Sequence, residues 1–227
     1  MLGALSESMV RDDLESWIRV RSRVPWDLAA PEVAGPMAGH RDGIAAAADA
    51  GDSARADRFR AAWRLARADA EASRPLGFCL LEKWQRQVIS RDDIAFRTLP
   101  AFAKGGRERY GLTASVPEVF DDCLTQATEA GSAVPLPARA ARAYLDVCFF
   151  HPFDDGNGRA ALLALGFVLA REGVVLDEVG PVQVRRYADD PAGAQALARL
   201  VHVLATAAAN RGSRPVSLPA TPIATWR

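Results

Sequence analysis

His151-Pro-Phe-Asp-Asp-Gly-Asn-Gly-Arg159 lies between two apolar helical segments, and its reading governs the rest of the chain. The run gathers a titratable base, a carboxylate and a small glycine-bearing loop. Those are the parts with which a protein holds a magnesium-bound phosphate chain and takes a proton from a hydroxyl beside it. Upstream, Pro137 to Phe150 reads as a helix with Pro137 at its first position, where no N–H is needed. Ala141, Tyr144, Leu145 and Cys148 form its apolar stripe, with Arg139, Arg142 and Asp146 mostly elsewhere. His151 continues the stripe to a helix end, because Pro152 disfavours a helical conformation there. Phe153 is expected to plug the loop into the core. Downstream, Arg159 to Gly173 is apolar almost all round, as a buried central helix should be. It should start at Asn157 or Gly158 and close at Gly173, so its free N–H groups point at the loop. Gly156 and Gly158 admit close backbone approach to an anion, Arg159 offers a charged fork, and Asp155 is a hard oxygen ligand suited to Mg²⁺. Each residue alone has a plainer reading: a capping His, an ordinary Gly-Asn-Gly turn, a surface Arg. Their joint spacing favours a site.

The string resembles the signature of the Fic/Doc family, His-Pro-Phe-x-(Asp/Glu)-Gly-Asn-(Gly/Lys)-Arg, and matches it at every specified position. The resemblance covers about Leu76 to Arg171 and implies an all-α fold, a Fic-like helical bundle with a small β-hairpin flap. Family members mostly transfer AMP from ATP to a Ser, Thr or Tyr hydroxyl of a protein. Carried over by position, His151 would be the general base and Asp155 the Mg²⁺ ligand. Gly156, Asn157 and Gly158 would form the anion hole, with the Asn157 side chain on the α-phosphate, and Arg159 would pair with a distal phosphate. Activity should then fall as pH drops below a histidine pKa of about 6.5.

One position departs from the pattern. Many AMP-transferring members carry a second Arg three residues after the first, where this chain has Leu162. The Doc branch, which phosphorylates its target with ATP, also lacks that Arg but has Lys in place of Gly158. The alternatives are therefore a Doc-like phosphotransferase and a nucleotide-binding or interaction module without turnover. A further family feature is the flap that aligns the target by main-chain pairing. The segment Ile94 to Leu112 is the candidate, with Gly105-Gly106 as a two-residue turn signal and Phe102 and Tyr110 in the arms. Ala103, Lys104, Gly105, Gly106 and Arg107 would contact the acceptor, and Pro100 must lie at a strand end. No full match to the family's inhibitory Ser/Thr-x-x-x-Glu-Gly/Asn helix occurs, which implies a separate inhibitor or antitoxin chain, or another mode of control.

The remaining sequence sets bounds. The 227 residues, 49% of them hydrophobic, suffice for one good core. The division expected is a helical extension over 1–75, the Fic core over 76–210 and an irregular tail over 211–227. A net charge of +0 gives no footprint for nucleic acid or an anionic membrane. Cys79, Cys123 and Cys148 form neither a metal spacing nor a disulfide framework, as expected of a cytoplasmic protein. His40 and His202 lack metal partners. No run looks long enough to span a membrane, and Met1 to Ser8 lacks the features of a signal peptide.

Helices are expected over Asp12–Val24, with Leu14, Trp17, Ile18 and Arg21 on one side, and over Ala54–Ala72, with a stripe of Ala56, Phe59, Trp63, Ala66 and Ala70. The second carries Arg55, Arg58, Arg60, Arg64 and Arg67, which Asp57, Asp69 and Glu71 interrupt as in a solvated face. Further helices should cover Leu76–Ile89, a stretch from a Ser115/Glu118 capping box to Gly131, and about Pro191–Ala209.

Overall fold

The computed structural model describes residues 11–47 and 52–213. Among the described residues there are eight α-helices, in chain order α1 (Asp13–Arg23), α2 (Gly43–Ala46), α3 (Ser53–Glu71), α4 (Phe78–Ile89), α5 (Val116–Thr125), α6 (Leu136–Phe150), α7 (Asn157–Arg171) and α8 (Pro191–Gly212). Two small sheets accompany them. Strand β1 (Met37–Ala38) pairs in parallel with β4 (Val174–Val175), and β2 (Ala101–Ala103) pairs antiparallel with β3 (Glu108–Tyr110). The expected helical bundle with a hairpin is what forms.

Helix α7 is the axis of the bundle. Every side chain from Ala160 to Leu169 is buried, in agreement with its unbroken apolar composition. Helices α6 and α3 pack along it. Gly166 lets α3 approach, since a Cβ there would stand 2.8 Å from the Trp63 ring. The stripe on α3 is buried as expected, from Ala56 through Ala70. Trp63 donates its indole N–H to Asp42, the N-cap of α2, at 2.7 Å. Asp69 faces inward, accepting from the Lys83 ammonium (2.9 Å) and the Trp84 indole (2.8 Å), so it ties α3 to α4 instead of solvating a surface.

Helix α6 is buried more completely than its sequence suggests. Arg142 and Asp146, read as lying off the apolar stripe, are 7% and 0% exposed. The reason is α1. The Trp17 indole and the Arg21 guanidinium both donate to Asp146, at 2.9 and 2.7 Å, and Arg21 also reaches Gln126 and the Cys123 carbonyl. A buried carboxylate with this many donors has its desolvation cost offset in place. The residues before α4 thus share one hydrophobic core with those after it.

Several boundaries differ from expectation. Helix α5 ends at Thr125 rather than Gly131, and the capping box does not form, since Ser115 Oγ pairs with Thr113 Oγ1. Helix α8 runs three residues past Ala209, to Gly212, which takes Arg211 out of the expected irregular tail. Arg211 there donates to Asp177 at 2.6 Å. With 22 residues and a mean hydropathy of 1.2 over its most apolar window, α8 is long and apolar enough by composition to cross a membrane, which corrects the reading that no run has that length. Its inner face, including Leu197, Val201 and Ala205, packs in the core. The readings for Met1 to Ser8 and for residues 214–227 fall outside the described residues.

Candidate active site

Helix α6 terminates on His151, whose φ of 50° and ψ of 54° are left-handed. Pro152 disfavours the right-handed alternative, and a non-glycine residue held this way costs roughly 1–2 kcal/mol. Arg97 holds it. This nearly buried side chain donates from Nε to the His151 carbonyl (3.0 Å), from Nη1 to the Leu99 carbonyl (2.6 Å), and from Nη2 to the Gly111 (2.6 Å) and Phe150 (3.3 Å) carbonyls. Its own backbone N–H donates to the Pro152 carbonyl at 2.8 Å. One guanidinium thereby satisfies carbonyls at the end of α6 and on both stems of the hairpin. Burial lowers its pKa from the ordinary arginine value.

The His151 imidazole stacks on the Tyr110 ring with centroids 4.9 Å apart and planes 10° apart. Nδ1 lies 3.4 Å from the Cys148 carbonyl. A carbonyl can only accept, so this contact favours the neutral tautomer with its proton on Nδ1, which leaves Nε2 the lone pair. Burial depresses the His151 pKa, and the nearby Arg97 charge adds to this; the Cys148 carbonyl and Glu108 work against it. Tyr110 is fixed in turn, donating its hydroxyl to Glu108 at 2.5 Å, while Lys104 donates to the other Glu108 oxygen at 2.5 Å. Burial pushes the Glu108 carboxyl up, but those two donors outweigh it and leave it below the usual range. Burial lifts the neighbouring Cys148 thiol to about 12, so it stays protonated.

The loop after His151 is braced from inside. Phe153 is buried and stacks on Phe78 at 5.5 Å, the plug that was expected. Asn157 spends its side chain on the loop: Oδ1 accepts from the Phe153 N–H at 2.9 Å and Nδ2 donates to the Phe153 carbonyl at 2.6 Å. Gly156 sits at φ 78°, and a Cβ there would stand 2.6 Å from Gln85 Nε2, which donates to the Asp155 carbonyl at 2.6 Å. Helix α7 starts at Asn157, so the N–H groups of Asn157 and Gly158 have no carbonyl one turn behind them and are free for an anion. A Cβ built on Gly158 meets nothing within 4 Å, so the space beside it is open.

A cavity of ≈ 200 Å³ is lined by His151, Asn157 and Gly158 together with Ala103 and Lys104 of the hairpin. It brings together the exit of α6 at His151 and the entrance of α7 at Asn157 and Gly158. Arg159 and Leu162 line an adjoining cavity of ≈ 240 Å³. Arg159 donates to the Val88 carbonyl at 3.0 Å, and burial lowers its pKa. The Asp155 carboxylate stays 74% exposed, accepting from the Gly156 N–H and only loosely, at 3.5 Å, from Arg159. It is not locked in an internal ion pair. Asp155, Gly156, Gly105, Gly106 and Arg107 line neither cavity.

The hairpin differs in detail from its sequence reading. Ala103 pairs with Glu108, so the turn has four residues, Lys104 to Arg107, with Gly105-Gly106 at its centre and positive φ at Lys104, Gly105 and Gly106. Pro100 precedes β2, as required. The outer side of β3 is covered by α1, whose Asp13 and Asp12 accept from the Arg109 and Gly111 N–H groups at 3.1 Å. Among the described residues the other side of β2 pairs with no strand. Arg97, Gln85 and Glu108 escaped sequence reading. Gln85 and Arg97 act on backbone far along the chain, and Glu108 acts on Lys104 and Tyr110 across the hairpin, so no residue pattern signals them. Among the described residues no cluster of three or more His, Cys, Asp or Glu could hold a metal by itself.

Similar structures include a Fic-domain-containing signalling protein from Bacteroides thetaiotaomicron, at 20% identity and a TM-score of 0.45, with 66% of this chain and 56% of that one covered. Another is Fic-1 (residues 134–508) from C. elegans, at 18% identity and a TM-score of 0.48, with 71% and 51% covered. The chain thus spans about half the length of the solved structures it matches. Comparison with curated proteins returns no match. The Fic/DOC family model matches residues 80–169, which contain most of α4, the hairpin, α5, α6, the whole motif loop and most of α7. Over residues 80 to 169 the chain is thus similar to the Fic/DOC family.

Proposed function

We propose that this chain is a transferase that moves AMP, or another nucleoside monophosphate, from a magnesium-bound nucleotide to a Ser, Thr or Tyr hydroxyl of a protein or peptide. The observation that carries the reading is the shared cavity: the His151 ring, whose pKa burial lowers and whose Nδ1 is turned to the Cys148 carbonyl, opens onto the same space as the α7 N-terminus at Gly158. A neutral imidazole at that place accepts the hydroxyl proton as the oxygen attacks the α-phosphorus, and the bond to the departing pyrophosphate breaks opposite it. The Asn157 and Gly158 N–H groups and the α7 dipole stabilise charge on the phosphate oxygens, and Arg159 meets the distal ones. The residues present fit one Mg²⁺ in the way that ion prefers. Asp155 is a single exposed carboxylate, and phosphate oxygens and water would complete the shell. The ion would neutralise phosphate charge and orient the chain. The unpaired side of β2 suits an acceptor segment adding as a strand, which sets its hydroxyl beside His151.

A second reading, transfer of the γ-phosphoryl group, draws support from Leu162, which puts an apolar side chain in the cavity beyond Arg159. The two readings separate by product mass. Purified chain is incubated with ATP, Mg²⁺ and a lysate, and modified proteins are weighed. Addition of AMP supports the first reading, addition of phosphate alone supports the second, and neither modification under any nucleotide would reject both.

A further inference from the structure

The cavity beyond Gly158 holds more positive charge than its protein surroundings neutralise. Its floor is apolar, from Phe59 and Leu162, and its rim carries Arg55 from α3 and Arg159 from α7. Gly158 and Gln183 line both this cavity and the one at His151, so the two are continuous over the first turn of α7. Arg58, one turn along α3 from Arg55, has its Nε buried with no hydrogen-bond partner. Arg55 itself makes no hydrogen bond or ion pair among the described residues. The charges of Arg55 and Arg58 both act on Arg159, adding to the effect of its burial. Two carboxylates lie close by and answer only part of this charge. Asp52 lines the cavity and spends one oxygen on the Ala54 N–H as N-cap of α3, and the Asp155 carboxylate is solvent-facing and 3.5 Å from Arg159. Guanidinium groups brought together at a cavity wall repel unless an anion sits between them. The position on α7 one turn after Arg159 cannot supply a counter-anion or a further cation, because it is Leu162.

We propose that Arg55 is a ligand-binding residue: together with Arg159 it grips the terminal phosphate of a polyphosphate chain that enters across Gly158. Helix α3 thus supplies from outside the motif the second guanidinium that α7 lacks, and the chain discriminates a triphosphate from a monophosphate through it. This rests on the nucleotide reading given above. The apolar floor suits the low-dielectric setting in which such charge-assisted bonds are strong.

Calorimetric titration tests it with ATP, AMP and inorganic tripolyphosphate, each with and without Mg²⁺, on wild type, Arg55→Ala and Arg64→Ala. Arg55 is exposed, so its removal leaves the fold unchanged, which a melting curve verifies. Arg64 is an exposed arginine of the same helix that does not line the cavity, and it controls for net charge. Arg55→Ala should weaken ATP and tripolyphosphate about tenfold and leave AMP unchanged, while Arg64→Ala matches wild type. Unchanged ATP affinity in Arg55→Ala, or an equal loss in Arg64→Ala, overturns the assignment and leaves the nucleotide reading standing. Wild type that binds none of the three compounds overturns the nucleotide reading itself, and this proposal with it.

Discussion

The motif loop, 151–159, and the hairpin, 101–110, face each other across one cavity but are built in opposite ways. The loop is held from beneath: Phe153 is buried against Phe78, Asn157 closes a two-bond ring with the Phe153 backbone, and Gln85 pins the Asp155 carbonyl. The hairpin has three-residue strands, an exposed four-residue turn, and Phe102 at 62% exposure. Its anchors are α1, through Asp12 and Asp13, and Arg97 at its stems. A fixed cradle with a lightly held strand opposite is what a transferase needs if the phosphate geometry must not vary and the acceptor segment must enter and leave.

Removing His151 should strike the fixed side hardest. His151→Ala is expected to lower transfer by about 10²–10⁴-fold with nucleotide affinity retained, as rate and binding measurements on one preparation would reveal. Retained transfer would mean the base is elsewhere. The same ring sets the pH response. Its pKa is depressed by burial, so the neutral, active form persists below about 6.5, and activity should fall only at lower pH. A profile that already declines above that value would contradict the burial argument.

Arg97 joins the two regions, and its loss should blur the contrast between them. Arg97→Ala leaves carbonyls of Leu99, Phe150, His151 and Gly111 without their donor. Transfer should drop roughly 10–100-fold, with nucleotide affinity changed far less, and Lys at this position should rescue poorly because it lacks the planar fork. Equal loss of nucleotide affinity would show that the clamp serves the cradle and not the hairpin.

Stability measurements sharpen the comparison further. Gly156→Ala combines a positive φ with a Cβ 2.6 Å from Gln85 Nε2, and should cost about 1–3 kcal/mol by denaturant unfolding. Phe102→Ser, on the hairpin, should stay within about 0.5 kcal/mol of wild type yet reduce transfer to a peptide acceptor. If the two variants unfolded alike, the hairpin would be as firmly built as the loop.

Much of the fixed side was legible in the sequence, and much of its support was not. The loop from His151 to Arg159 carried its own reading because its chemistry is local: a proline sets the turn at His151 and the apolar run after Arg159 sets a buried helix. The α3 stripe of Ala56, Phe59, Trp63, Ala66 and Ala70 was legible for the same periodic reason. Asp146 and Arg142 were misplaced because a helix wheel for α6 cannot know that Trp17 and Arg21 of α1 cover Asp146 and that Trp26 covers Arg142. Arg97 was invisible because its partners are carbonyls, which every residue has. The hairpin turn was placed correctly at Gly105-Gly106 but made too short, since two glycines signal positive φ without fixing the strand register.

The central claim is that His151 deprotonates a hydroxyl held beside a nucleotide α-phosphate at the entrance to α7. It is tested most directly by following label from ATP marked at the α-phosphate, in parallel with ATP marked at the γ-phosphate, onto protein in a lysate with wild type and His151→Ala. Label should come from the α position alone, and none should appear with His151→Ala. Label from the γ position alone, or undiminished α label with the variant, would contradict it.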